Sequence, residues 1–243
     1  MTEMLFRKDA YARRAPALVK AHTPEGGIVL DTSLFYPTGG GQPGDNGTLR
    51  WDDNSLTIAT AIKGQGDDII LVPAEARALP PVGTRVDQAL DWDRRYGHMR
   101  MHTALHLLSV VVPFGVTGGS IGAERGRLDF DMADAPEDRD ALETTLNAHV
   151  SADMPVSEEW ITSAALEANP GMVKTLSVQP PRGAGQIRLL RIGSGTDTID
   201  LQPCGGTHVA RTGEIGALRI GKIEKKGRMN RRIYLHLDNA PQR

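Results

Sequence analysis

Two residue pairs, far apart in the chain, could do chemistry together. The run GHMRMHTALHLLSVVV, Gly97 to Val112, sets His98, His102 and His106 four residues apart in an apolar stretch of a chain with seven histidines. Residues four apart on a helix share a face, so His102 and His106 point the same way. Much later, LQPCGGTHVARTGEIG sets Cys204 and His208 four apart in a turn, where Gly205 and Gly206 let the backbone wrap so that both side chains face one point. Neutral imidazole and thiolate are good zinc ligands, and one cysteine with three histidines suits a tetrahedral ion.

Each pair alone also has a plainer reading. The histidines fit a polar flank of a helix, Cys204 a small buried hydrophobe and His208 a loop residue. Cys204 beside His208 also fits a nucleophile with its base. Two ligand pairs, one of them holding the single cysteine, favour a metal when weighed together. The metalloprotease pattern is excluded, because it needs a glutamate directly after the first histidine and Thr103 stands there. His98 falls in the first turn and ranks below the other two as a ligand.

These side chains need a helix and a returning chain to position them. Met101, Leu105, Leu108 and Val112 recur at helical spacing, which predicts a helix over 93–112, stopped by Pro113 and Gly115. His102 and His106 then lie beside the apolar stripe, at the edge of the buried face. A second helix is predicted from Pro136 to Ser151, capped by Asp134. The first ninety residues read as short strands between turns such as PEGG, GGGQPGDNG and KGQGDD, a small barrel or sandwich. In SLTIATAIK, Leu56, Ile58 and Ile62 mark the inner face of one strand. Strands return at GQIRLLRI and TIDL. The stretch GALRIGKIEKKGRMNRRIYLHL reads as a terminal hairpin with Ile233, Leu235 and Leu237 on one face.

The 243 residues carry 40% hydrophobic and 24% charged side chains, the balance of a globular protein. A net charge of −2 gives no whole-protein attraction to nucleic acid, so any such affinity must be local. Lys222, Lys225, Lys226, Arg228, Arg231 and Arg232 form such a patch near the hairpin turn, against Glu224 alone. Arg94 and Arg95 are weaker candidates. A single cysteine excludes an intrachain disulfide and suits a reduced, cytoplasmic setting. The N-terminus lacks the apolar core of a signal peptide, and no stretch is long and apolar enough to span a membrane.

HTALHLL followed by CGGTHVARTGEIG resembles the editing domain of alanyl-tRNA synthetases and of freestanding alanyl-tRNA editing proteins, a domain related to one in threonyl-tRNA synthetases. FYPTGGGQPGDNG resembles the family's glycine-rich motif, and GRLDFD and KIEKKGRMNRRI fit it in order. The resemblance covers roughly residues 30–235 and implies an α+β chain: a β-barrel-like domain over 1–90, then an α/β two-layer sandwich editing domain over 91–243. It implies a trans-editing hydrolase that deacylates tRNA(Ala) mischarged with serine or glycine, with zinc on His102, His106, Cys204 and His208. Thr38 matches the position associated with recognising the serine hydroxyl, although by itself it reads as a turn residue. Gln42 fits either a substrate contact or a brace of its loop. Gly39, Gly40 and Gly41 serve a tight turn and would allow close approach of the terminal adenosine. The basic hairpin would bind tRNA phosphates. Catalytic zinc usually keeps an open position, whereas four protein ligands close a tetrahedral site, so a non-enzymatic RNA-binding module with a structural zinc stays open as an alternative.

Overall fold

The computed structural model describes residues 1–175 and 186–238. The chain divides into two compact units, Met1–Tyr96 and Gly97–Arg243.

In the first unit the strands are β1 (Glu3–Met4), β2 (Arg14–His22), β3 (Ile28–Leu30), β4 (Thr32–Ser33), β5 (Gly47–Trp51), β6 (Asn54–Lys63), β7 (Ile69–Pro73) and β8 (Arg85–Leu90). Six of them close into a barrel in the order β2-β3-β7-β6-β5-β8. Closure pairs every strand on both sides and leaves this sheet no edge. The interior holds Leu49, Leu56, Ile58, Ile69, Leu71 and Val86, each at most 1% exposed. Ile62 is not among them. It is exposed, because a bulge between Ile58 and Thr60 shifts the register against β7 and puts Ala61 on the inner face instead.

Arg95 belongs to this unit too and is not a surface cation. It is buried against Asp45, itself buried. Its Nε donates to Asp45 Oδ1 and Oδ2 at 3.0 and 2.9 Å. Its other nitrogens donate to the Ala10 carbonyl at 3.1 Å and the Leu34 carbonyl at 2.7 Å. The pair and its two carbonyls tie four separate segments together. Arg94, by contrast, is exposed.

The second unit is built on α1 (Trp92–Val111), which begins at the end of the first. Asp91 Oδ1 accepts from the Arg94 N–H and caps it. From Gly97 to Ser109 every residue except Arg100 is buried, so the helix has no exposed face there, and His102 and His106 do not sit at its rim. Then follow β9 (Val116–Ser120), β10 (Arg125–Asp131), α2 (Arg139–Ser151), β11 (Val156–Thr162), α3 (Ser163–Glu167), β12 (Gln186–Ile192), β13 (Asp200–Pro203), β14 (Leu218–Gly227) and β15 (Asn230–Leu237). The strands form a four-stranded antiparallel sheet, β14-β15-β10-β9, and a three-stranded one, β11-β12-β13. A Cβ on Gly126 of β10 would meet Met101 Sδ at 2.7 Å, which shows how closely α1 lies on the larger sheet. The helix α2 fastens to the edge strand β14 through Asn147, whose Nδ2 donates to the Leu218 carbonyl and whose Oδ1 accepts from its N–H. The fold is α+β, a barrel followed by a mixed unit.

Two boundaries differ from the sequence reading. The second helix starts at Arg139, because Asp138, not Asp134, accepts from the Ala141 N–H at 2.8 Å; Pro136 stays outside. The strand read at TIDL is shifted to Asp200–Pro203. GQIRLLRI forms β12 from Gln186 onward, and its first residue, Gly185, lies outside the described residues. Among the described residues no helix is long and apolar enough to cross a membrane.

Replacing Arg95 with alanine leaves Asp45 buried without its counter-charge. The expected loss is about 3–5 kcal/mol of barrel stability, read from urea unfolding; a loss below 1 kcal/mol would contradict the account of this pair.

Candidate metal centre and nucleic-acid surface

His102 and His106 lie one turn apart on α1, with ring centroids 5.3 Å apart. Cys204 and His208 come from the loop after β13. The helix and the loop bring the His102, His106, Cys204 and His208 ligand atoms within 4.8 Å of one another. Cys204 Sγ stands 3.1 Å from His208 Nε2 and 3.5 Å from His102 Nε2. A tetrahedral zinc ion holds such atoms about 3.3–3.6 Å apart, so the donor set fits it and these two separations lie near that range. The three histidines are buried, and Cys204 is of intermediate exposure as a residue. His98 is buried elsewhere on the helix and is not part of this group.

The electrostatics favour ligand forms at two positions. Burial pushes the Cys204 thiol up, but the neighbouring rings of His102 and His208 and hydrogen bonds from His102 and His106 hold it well below the usual thiol range. Burial and the neighbouring His102 push His208 well below the ordinary imidazole value, so its ring is neutral. Burial also opposes charge on His106, yet hydrogen bonds to Asp200 and Cys204 raise it to about 9 in the metal-free protein. A cation at the centre would replace that proton.

Several residues that support the cluster carried no signal in the first reading. Asp200 is 2% exposed, and its Oδ2 accepts from His106 Nδ1 at 2.9 Å and from Gln202 Nε2 at 2.7 Å. Its Oδ1 accepts from Lys174 Nζ at 2.6 Å. Burial opposes the Asp200 charge, but these partners hold its carboxyl below the usual range. Strand parity was the missed clue: Asp200 and Gln202 alternate on β13 and both face inward. Thr103, noted only for not being a glutamate, is fully buried with its hydroxyl 3.2 Å from His208 Nδ1. Arg188 of β12 shapes the loop itself. Its Nη1 donates to the carbonyls of Cys204 and Gly206 at 2.7 and 2.9 Å. Its Nε and Nη2 grip the two carboxylate oxygens of Glu158, the first at 2.7 Å.

In the barrel unit, Gly40 and Gly41 both have positive φ, and Gly39 and Gln42 exchange backbone hydrogen bonds of 3.0 Å across them. That is a tight two-residue turn of the kind glycine favours. Tyr36 donates its hydroxyl to the Gly39 carbonyl at 2.9 Å. Gln42 is 1% exposed and sits inside the unit. Thr38 is exposed; its hydroxyl donates to the Ala61 carbonyl at 3.3 Å and accepts from the Gly44 N–H at 2.9 Å.

The basic hairpin does not present its six cations equally. Lys222 and Lys226 both pair with Glu224, at 2.8 and 2.7 Å. Arg232 forks onto Asp129 at 2.7 and 2.9 Å. Arg231 is buried and bonds back to the carbonyls of Gly227 and Asn230. Its position follows from parity, since it falls on the same face of β15 as Ile233, Leu235 and Leu237. Lys225 and Arg228 are exposed, and among the described residues neither enters an ion pair.

The family described as the threonyl and alanyl tRNA synthetase second additional domain matches residues 187–234, and that described as tRNA synthetases class II (A) matches residues 12–94. An alanyl-tRNA editing protein, AlaX-M, of Methanosarcina acetivorans is 34% identical over 98% of this chain and 99% of its own length. The chain belongs to the alanyl-tRNA editing protein family. Another member, AlaX-L of Pyrococcus horikoshii, is 32% identical over 94% of this chain and 56% of its own. An alanine–tRNA ligase of Caldivirga maquilingensis is 34% identical over 92% of this chain, in a segment that makes up 25% of the ligase. Family membership therefore covers both units.

Arg188→Ala removes the donors that hold two loop carbonyls. It is expected to cost about 1–3 kcal/mol in chemical denaturation and to weaken metal retention about 10- to 100-fold in chelator competition. Arg188→Lys should not restore either, since one ammonium cannot serve the two carbonyls and the carboxylate together.

Proposed function

We propose that this chain hydrolyses the ester that joins a wrong amino acid, serine and also glycine, to tRNA(Ala), with zinc as its cofactor on His102, His106, Cys204 and His208. The observation that carries the proposal is the convergence of those four donors within 4.8 Å, in a member of an editing family. The need for such an enzyme is physical. A pocket that activates alanine cannot exclude glycine by size and rejects an added hydroxyl by only about 10². A separate hydrolytic site that prefers the hydroxyl-bearing ester corrects the remainder.

A bound zinc ion would supply Lewis acidity toward an ester carbonyl. The chain's residues do the rest. The surroundings pull the Cys204 thiol and the His208 ring well below their usual ranges, which biases both toward the forms that bind metal without first losing a proton. Thr38 donates its single proton within the barrel, and its oxygen keeps one lone pair free to accept from a serine hydroxyl. Lys225 and Arg228 carry the charge available to phosphates of tRNA, with Lys222 and Lys226 offset by Glu224.

A second reading, an RNA-binding module with a structural zinc, is favoured by the ligand count, since four protein ligands complete a tetrahedron. Time courses on Ser-tRNA(Ala), Gly-tRNA(Ala) and Ala-tRNA(Ala) separate the two. The proposal expects serine and glycine esters to be lost and the alanine ester to persist, and His106→Ala to abolish the difference with the circular-dichroism spectrum unchanged. Binding of tRNA with equal, background loss of all three esters would establish the second reading.

Thr38→Val keeps shape and removes the hydroxyl. Its expected effect is about a tenfold fall in the serine-to-alanine rate ratio, alongside a barrel destabilised by about 1 kcal/mol for the lost internal bonds. An unchanged ratio would return Thr38 to a purely structural role.

A further inference from the structure

The cluster contains an unusual instruction about its own protons. An imidazole offers a ligand lone pair on one nitrogen only if its proton rests on the other. In two of the three histidines the structure shows what holds that proton. The Thr103 hydroxyl stands 3.0 Å from the Met99 carbonyl four residues earlier, to which it donates its single hydrogen. Its oxygen is then an acceptor only. It receives the Val209 N–H at 3.3 Å and lies 3.2 Å from His208 Nδ1, so with the hydroxyl hydrogen on Met99 the protonated nitrogen of His208 is Nδ1. His208 Nε2, the atom 3.1 Å from Cys204 Sγ, is left with the lone pair. On the other side of the cluster His106 Nδ1 has two neighbours, Asp200 Oδ2 at 2.9 Å and Gln202 Nε2 at 3.0 Å. The carboxylate can only accept, and the Gln202 amide has Asp200 Oδ2 at 2.7 Å for its own hydrogen, so a proton on Nδ1 facing Asp200 leaves His106 Nε2 as the donor to a metal.

We infer that Thr103 and Asp200 are the positioning residues of the metal centre: they fix the ring tautomers of His208 and His106, one by a neutral hydroxyl and the other by a carboxylate. The two devices are independently braced. Thr103 is locked by its own helix turn and by the backbone of the loop it faces, so it also ties α1 to the residue that follows His208. Asp200 is locked by Lys174 at 2.6 Å and by Gln202 at 2.7 Å, and Gln202 lies 3.3 Å from Ser109 Oγ on α1. Each ligand pair thus contains one histidine whose orientation is set by the partner element: a helix residue sets the loop histidine, and a strand residue sets the helix histidine. Ring orientation, not only ligand identity, is specified by the fold.

This inference rests on the proposed metal site, and its test separates the two. Zinc affinity is measured by competition with a chromophoric chelator in the wild type, Thr103→Val, Thr103→Ser and Asp200→Asn. Histidine nitrogen shifts in the zinc-loaded proteins report the tautomer of each ring, and melting in excess chelator reports the fold without metal. The expected result is about 10- to 100-fold weaker zinc binding for Thr103→Val and Asp200→Asn, recovery in Thr103→Ser, and loss of a single Nδ1–H signature at His208 or His106 respectively. A wild type that binds no zinc would remove the metal site. A wild type that binds zinc, with Thr103→Val and Asp200→Asn within twofold of it and the same ring signatures, would overturn the positioning roles alone. Equal destabilisation of a variant with and without zinc, at unchanged affinity, would also overturn them.

Discussion

One thiol and three imidazoles gathered within 4.8 Å, the three histidines buried, cannot all carry their ordinary charge. Burial penalises every charged form, and the groups then bias one another strongly at short range. The mutual perturbation is visible in opposite directions: His106 is pushed up, Cys204 and His208 down. A cation at the centre would resolve the conflict, because it would accept neutral imidazoles and a thiolate at once. The surrounding structure reads as a frame that keeps the four donors in this otherwise unfavourable company.

The frame has two parts. The helix α1 is buried on nearly all sides, which fixes its rotation and with it the direction of His102 and His106. The loop carrying Cys204 and His208 has little regular structure, so its backbone carbonyls need partners from outside. Arg188 supplies them, and Glu158 holds the guanidinium in place. Asp200 contributes from the strand that leads into the loop. Charged groups that look ordinary in the sequence therefore act as the loop's internal scaffolding.

The convergence of the four side chains was legible because its signal is local: residue type and a spacing of four suffice to propose a cluster. The strands of the barrel and the long helix were legible for the same reason. What escaped depends on tertiary pairing. Nothing near Arg188 or Glu158 announces that they will meet across β11 and β12. Ile62 was misplaced because a bulge three residues earlier reverses side-chain parity, and a bulge has no fixed sequence mark here. Arg231 illustrates the opposite error: its charge suggested the surface, whereas the alternation that placed Ile233 inside already placed Arg231 there too. Arg95 likewise reads as a surface cation until Asp45, buried beside it in the barrel unit, is known.

The order of the strands along the chain also governs when each unit can be completed during synthesis. The barrel closes through β8, its last strand, which joins both β2 and β5. The mixed unit waits longer, since β10 pairs with β15 near the end of the described chain, and the helix histidines meet Cys204 and His208 only after most of the polypeptide has emerged. All residues of the barrel thus precede the second unit in the chain, and the four donors could hold an ion together only once the last of them, His208, has been made.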